Sequence, residues 1–250
     1  MLKINKKDSL IKLIKSKVIL NELSIRNLKA GDSIVVFNTE SIHHFYHNIE
    51  YKNYVEQCTH ITIDGIGIKI ILQLFGFIQS RLHGPELLNF ILSQKESASL
   101  VVVGGGAQNN RLKERGLIEK HIELPYTDSL EDIMSILVQD ILSSSFSNPT
   151  CIILLISLGL PKQELVAKKI LDYKKNRQHK MLCNVVPIPI GAAIDFLTGT
   201  RKRSSRLWQI MGLEWLPRLI REPRMLPRIF KSMFGAILMI KRELMFKIYN

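Results

Sequence analysis

Apolar residues are arranged along the chain in two alternating patterns. Short runs rich in β-branched residues are typical of buried strands, and they lie at 33–38, 60–63, 99–106, 150–159 and within 180–197. Between them, apolar residues recur three and four positions apart, which predicts helices over 41–57, 66–79, 85–96, 107–116, 128–145 and 161–176. Buried strands that alternate with helices predict an α/β fold with a mostly parallel, Rossmann-like sheet and helices on both faces.

The positive charge of the chain is concentrated at one end. The net charge is +13, and from residue 200 onward twelve cations stand against three anions, which leaves +9 in the last fifth of the chain. This asymmetry predicts an anionic partner for that region. We therefore divide the chain into an α/β domain over 1–198 and a basic, helical C-terminal appendage over 199–250.

The appendage mixes large apolar side chains with arginine and lysine. Its apolar runs are shorter than the roughly 18 residues that span a bilayer, so we expect a basic amphipathic helix lying on an anionic membrane surface. The alternative is a helix packed on the domain or on a second subunit. In the second case the protein would be a homo-oligomer. Nucleic-acid binding is the rival explanation for the charge, but Trp208, Trp215 and Phe230 are spaced like packing residues.

The rest of the composition indicates a cytoplasmic protein. The first twenty residues are interrupted by lysines and lack the long apolar run of a signal peptide. The three cysteines are odd in number and widely separated, so we expect reduced core residues and no zinc site.

One strand ends in an unusual way. The run "ITI" is followed by Asp64, and then by Gly65 and Gly67. Aspartate and glycine are common turn residues, and aspartate can also cap the next helix. Alternatively, a carboxylate at the carboxyl end of a strand, beside bare main chain, is where an α/β enzyme would hold a base against a ligand.

The other strand ends are rich in glycine and poor in charge, which suits a diphosphate. The stretch "LGLPKQE" (158–164) places Lys162, Gln163 and Glu164 at a strand-to-helix junction, and an amide such as Gln163 can recognise a base or a sugar hydroxyl. The loop at 104–106 lacks the third glycine of a dinucleotide fingerprint. His43 and His47 lack a third ligand, so we predict neither a metal nor a cofactor.

Four motifs together resemble a known family. In order they are "TIDGIG", "RLHGPEL", "LGLPKQE" and "AIDFLTGTRKRSSRLWQIMGLEWLPRLIREPRMLPR". Their sequence and spacing are similar to those of the WecG/TagA/CpsF glycosyltransferases, over about residues 30–230. The resemblance implies inverting, metal-independent transfer of a sugar from a UDP-sugar to a polyprenyl-diphosphate-linked sugar, in the synthesis of bacterial surface polysaccharide, teichoic acid or a related glycan.

The resemblance also implies roles for particular residues. The family's proposed base corresponds to Asp64, beside Gly65 and Gly67. Its substrate-binding positions correspond to Asn38, Arg81, Gln163, Asp195, Arg218, Arg224 and Arg228. A single carboxylate is sufficient for an inverting reaction, and arginines of the appendage would offset the charge that develops on the leaving diphosphate. We therefore expect an enzyme on the inner face of the bacterial cell membrane; the alternative is a non-catalytic protein that binds a nucleotide sugar or a lipid diphosphate.

Overall fold

A computed structural model describes residues 9–19, 28–78, 82, 84–93, 96–127, 129–176, 181–202, 204–211 and 213–249. Within these ranges the side chains of Val18, Ile19, Ala107, Met181, Arg206, Gln209, Ile210, Arg218 and Tyr249 are not described.

The described chain contains short strands between helices. The strands are β1 (Val18–Ile19), β2 (Ile34–Phe37), β3 (His60–Ile63), β4 (Ser99–Gly104), β5 (Lys120–Ile122), β6 (Ile152–Ser157) and β7 (Val185–Pro189). The helices of the first half are α1 (Leu10–Ser16), α2 (Thr39–His47), α3 (Ile49–Gln57), α4 (Ile66–Leu74), α5 (Gly84–Leu92) and α6 (Asn110–Glu114). Those of the second half are α7 (Leu130–Leu142), α8 (Lys162–Lys175), α9 (Ala193–Leu197), α10 (Arg206–Met211), α11 (Trp215–Arg221) and α12 (Leu226–Tyr249).

All strand pairs among the described residues are parallel. One sheet has the order β1-β3-β2 and the other the order β5-β4-β6-β7. Strand β2 lies beside β7, so the two sheets stand edge to edge. Because all strands of a parallel sheet point the same way, their carboxyl ends share one edge. The predicted α/β fold with a parallel sheet is confirmed.

Alternate residues of the central strands face opposite sides of the sheet. On β4, Val101 and Val103 belong to one buried cluster, whereas Leu100 and Val102 belong to another. Side chains in a strand alternate between faces, so a strand covered by helices on both sides must be apolar at every position. The continuous apolar runs in the sequence therefore arise from burial on two faces.

Three local features differ from the predictions. The structure divides the helix predicted over 41–57 at Asn48, which is both the C-cap of α2 and the N-cap of α3, where its side chain accepts a hydrogen bond from the Tyr51 N–H. Helix α4 ends at Leu74, and Gly76 follows with a φ of +75°. Strands β1 and β5, of two and three residues, were not predicted.

The long C-terminal helix α12 packs its inner face against the α/β body. It lies along α2 and also contacts α1 and α4. Gly235 lies so close to α2 that a Cβ atom there would be 2.8 Å from both the Thr39 carbonyl oxygen and the His43 backbone nitrogen. Buried Glu243 accepts hydrogen bonds from the Ser9 hydroxyl and the Ile11 N–H at the start of α1. Within the described part of the chain, no helix is both long and apolar enough to cross a bilayer.

Candidate active site

The parallel pairing of β2 and β3 brings two predicted residues together. Phe37 and Ile63 are partners in the last rung of the ladder, so Asn38 and Asp64 follow side by side at the carboxyl edge. The Asp64 N–H extends the ladder by donating to the Phe37 carbonyl oxygen at 2.9 Å. An amide and a carboxylate on neighbouring strands form the centre of the candidate site.

Asn38 has one structural task. Its carboxamide oxygen caps α2 by accepting a hydrogen bond from the Ser41 N–H at 3.0 Å, and the Ser41 hydroxyl accepts one from the Asn38 N–H. Such a capping box fixes the first turn of a helix. Its Nδ2 group has no hydrogen-bond partner among the described residues.

Glycine is required at two positions after Asp64 for different structural reasons. Gly65, and not Asp64, occupies the N-cap position of α4, and its φ of +87° lies in a region that favours glycine. Gly67 faces the first turn of α2, where a Cβ atom would come within 2.8 Å of the Thr39 Cγ2 atom. The first turns of α2 and α4 are therefore closely packed, and half-buried Asp64 stands at their junction.

Gln163 connects three parts of the same edge. Its buried side chain accepts a hydrogen bond from the Gly191 N–H at 2.9 Å and donates one to Glu164 at 2.8 Å. The Ser157 hydroxyl at the end of β6 donates to the Gly191 carbonyl oxygen. The loop after β7 is thus fixed to the start of α8 at the carboxyl edge of the sheet.

Glu164 is a buried acid below this edge. Burial is the main reason why its pKa is raised from 4.5 to about 8, and the charge of Glu40 raises the pKa further. The hydrogen bond from Gln163 and the charge of Arg228 act in the opposite direction. At neutral pH the Glu164 carboxyl group is therefore mostly protonated.

Asp195 lies in the first turn of α9, which follows β7 at the carboxyl edge. Its Oδ2 atom is 3.3 Å from the Arg201 Nε atom, and burial raises the pKa of its carboxyl group. Arg201 also lies 3.9 Å from Glu222, so Asp195 is connected to the segment that leads into the C-terminal helices.

The predicted arginines have different surroundings. Arg228, on the first turn of α12, forms a bidentate ion pair with Glu40 of α2, with three N–O distances of 2.8 to 3.2 Å. Arg224 is exposed on the 3-10 turn before α12. Arg81 lies outside the described residues. The backbone of Arg218 lies in α11, but its side chain is not described.

The histidine pair of α2 packs against the C-terminal helix. The His43 and His47 rings are stacked with their centroids 4.4 Å apart, and each ring also contacts Phe234 of α12. Burial is the main reason why the pKa of His43 is lowered. In the part of the chain that the structure describes, no three His, Cys, Asp or Glu side chains are grouped as metal ligands.

Two residues that the sequence did not single out as site residues lie near this edge. Glu40 is the second residue of α2, where an acid is common because it favours the helix dipole, so its partner could not be inferred. Tyr126 is wholly exposed on the loop after β5, and the Lys162 amino group joins this loop to α8 by donating to the Thr127 carbonyl oxygen at 2.9 Å. The position of this loop could not be predicted because β5 itself was not predicted.

One protein-family model covers almost the whole chain. The model of the WecG/TagA/CpsF glycosyl transferase family matches residues 10–248 of the 250-residue chain. The chain therefore belongs to this family, and the resemblance inferred from its four motifs is confirmed. As a member it is a glycosyltransferase with a role in polysaccharide biosynthesis, a class that in general uses a nucleotide-sugar donor and a lipid-linked acceptor.

Proposed function

From its membership of this family, we propose that the protein is an inverting, metal-independent glycosyltransferase. It moves a hexosyl or N-acetylhexosaminyl group from a UDP-sugar to a polyprenyl-diphosphate-linked sugar during the synthesis of bacterial surface polysaccharide. The main support is the position of Asp64, which lies beside Asn38 at the carboxyl edge and is followed by glycines. Ligands of open α/β sheets bind at this edge.

Each candidate residue has a chemical role in the proposal. Asp64 removes the proton from the acceptor hydroxyl, whose oxygen then attacks the donor C1 atom from the face opposite the leaving UDP. Gly65 and Gly67 allow the sugar and diphosphate to approach the main chain at the start of α4, where N–H groups favour an anion. Asn38 and Gln163 contact the bound sugars with their amides.

The leaving diphosphate needs positive charge. We assign this role to Arg81, Arg218, Arg224 and Arg228, because guanidinium groups pair bidentately with phosphate. The ion pair of Arg228 with Glu40 supports the proposal, because it brings a cation of the appendage to the helix that Asn38 caps. Asp195, connected to the same segment through Arg201, is proposed as a donor-binding residue.

The outer face of α12 supports attachment to a membrane. While Met239 and Phe246 pack inward, large apolar side chains on the outer face are exposed; they are Leu226, Phe230, Met233, Ile237, Leu244 and Ile248. Exposed Lys241 lies beside them, whereas exposed Lys231 and Lys247 lie at the margins of this face, near His43 of α2 and over the Phe75 ring. Apolar residues flanked by lysine match an anionic bilayer surface, so we place the enzyme peripherally on the inner face of the cell membrane. A homo-oligomer through the same face is the alternative.

The decisive experiment is a transfer assay with a panel of UDP-sugars and a short lipid-diphosphate-sugar acceptor. Asp64→Asn keeps the size of the side chain but removes its basicity, so we expect turnover to fall by about two orders of magnitude or more with UDP binding retained. Asp172→Asn, an equivalent change late in α8, is the matched control and should leave turnover unchanged.

Two outcomes would contradict the proposal. Turnover like that of the wild type in Asp64→Asn would make this residue a turn former. Binding of a UDP-sugar without transfer to any acceptor would favour the non-catalytic binding protein.

A further inference from the structure

The contact between Glu40 and Arg228 joins residues that are 188 positions apart in the chain. The Glu40 side chain is 8% exposed, whereas that of Arg228 is 50% exposed. The Arg228 Nε atom donates to both carboxylate oxygens, at 3.2 and 3.0 Å, and the Nη2 atom donates to Oε2 at 2.8 Å. Glu40 thus holds one edge of the guanidinium group, and the Nη1 atom has no partner among the described residues.

This pair lies between two parts of the candidate site. Glu40 comes two residues after Asn38, in the first turn of the helix that Asn38 caps. On its other side, Glu40 is near enough to Glu164 to raise the pKa of that carboxyl group, and Glu164 follows Gln163. The half-exposed guanidinium group is therefore held on the first turn of α2 and is close enough to Glu164, in the first turn of α8, to lower the pKa of that carboxyl group.

The two neighbouring acids have different partners. Glu40 faces a guanidinium group, whereas the described hydrogen-bond partner of the Glu164 side chain is the neutral amide of Gln163. Two buried carboxylates close together repel each other, so the charge is best placed on the acid that has the cation. Glu40 is thus the acid that fixes a cation at this position.

We propose that Glu40 is a positioning residue, which holds Arg228 so that its open edge faces the donor diphosphate and which couples the docking of α12 to donor binding. The inference rests on the proposed function, which supplies the diphosphate. An arginine that is already held by two hydrogen bonds loses little side-chain freedom when it binds phosphate. The same ion pair fastens the start of α12 to α2, so a bound diphosphate would favour the docked helix.

The test is a double-mutant cycle read by calorimetric titration with UDP. We expect Glu40→Gln, which keeps the shape but removes the charge, to weaken UDP binding about tenfold. In an Arg228→Met background the same change should have no further effect, because Glu40 acts through Arg228. Glu50→Gln is the matched control, because Glu50 is the second residue of α3 as Glu40 is of α2, yet it pairs with Lys168.

A conservative variant separates positioning from simple attachment of the helix. Arg228→Lys can still pair with Glu40 but lacks the second edge of a guanidinium group. We expect this variant to keep the hydrogen-exchange protection of α12 while UDP binding and kcat/KM fall. If Glu40→Gln does not fold, Glu40→Asp takes its place in the cycle. Its side chain is one methylene shorter, so its carboxylate lies further from Arg228.

The possible failures can be told apart. UDP binding that is unchanged in Glu40→Gln, or weakened equally with and without Arg228, overturns the positioning role alone. Wild-type protein that does not bind UDP overturns the proposed donor and this inference together.

Discussion

Glu164 gives a quantitative test of the buried edge of the site. Its carboxyl group is wholly buried at the start of α8, where Oε1 accepts a hydrogen bond from Gln163 and Oε2 has no partner among the described residues. A glutamine side chain has the same size and can still accept the hydrogen bond from Gln163, but it cannot ionise. The variant Glu164→Gln therefore isolates the free energy of burying this acid.

The magnitude follows from the raised pKa. The pKa of Glu164 is about 8 in the folded protein and 4.5 in the reference state, a difference of about 3.5 that corresponds to about 5 kcal/mol at roughly 1.4 kcal/mol per unit. The folded protein holds the proton of the Glu164 carboxyl group more tightly than the unfolded chain does. The resulting contribution to the free energy of unfolding is fully present below pH 4.5 and is lost as the pH rises through 8. Between pH 6 and pH 9 the loss amounts to about 3 kcal/mol.

The assay is urea unfolding of both proteins across this pH range. The difference in the free energy of unfolding should shift by about 3 kcal/mol in favour of Glu164→Gln between pH 6 and pH 9. Glu131→Gln, at an exposed position of α7, should show no comparable shift. A difference that does not change with pH would mean that Glu164 ionises normally in the folded protein, and the argument from burial would fail.

Two further predictions concern metal and the membrane. Sugar transfer should survive excess EDTA, since the proposal assigns charge stabilisation to arginines; loss of activity that Mn²⁺ restores would refute that assignment. Phe230→Ser combined with Ile237→Ser on the outer face of α12 should reduce binding to anionic liposomes and activity on lipid acceptors, but not on a soluble acceptor. Wild-type binding should weaken as salt rises, and breakdown of an oligomer in the variant would assign the face to a subunit interface.

The structure makes substitution a better test of the membrane face than truncation. Truncation after Arg228 would also remove Met239, Phe246 and Glu243, which pack against the body or hold α1. A truncated protein would therefore lose stability as well as the outer face.

The central sheet could be predicted because burial on both faces imposes apolar residues at consecutive positions. Strand β6 is such a case, with Ile152 to Ile156 wholly or almost wholly buried. Strand β5 could not be predicted in the same way. It has three residues, two of them polar and partly exposed, and it exists because it pairs with β4. Short edge strands are defined by their partners more than by their own composition.

The site divides along a similar line. Asn38 and Asp64 could be placed from the sequence because parallel strands bring their carboxyl ends together, whatever the helices do. The ion pair of Glu40 and Arg228 could not be placed, since one acid at the start of a helix and one arginine in a basic tail have many possible partners. Such long-range pairs depend on how α12 docks on the body, and Gly235 permits its close approach to α2.

Helix α12 shows that two explanations offered for the C-terminal segment are compatible. From the sequence, a basic apolar segment predicted a helix either on a membrane or packed on the domain. The structure gives the helix two apolar faces, with Met239 and Phe246 packed inward and Phe230, Ile237 and Leu244 exposed outward. If the helix had only one apolar face, packing on α2 would bury it and leave no apolar face exposed. The second face needs its own partner, and because Arg228 on the same helix is fixed to Glu40, whatever binds that face is held at a defined position relative to Asn38 and Asp64.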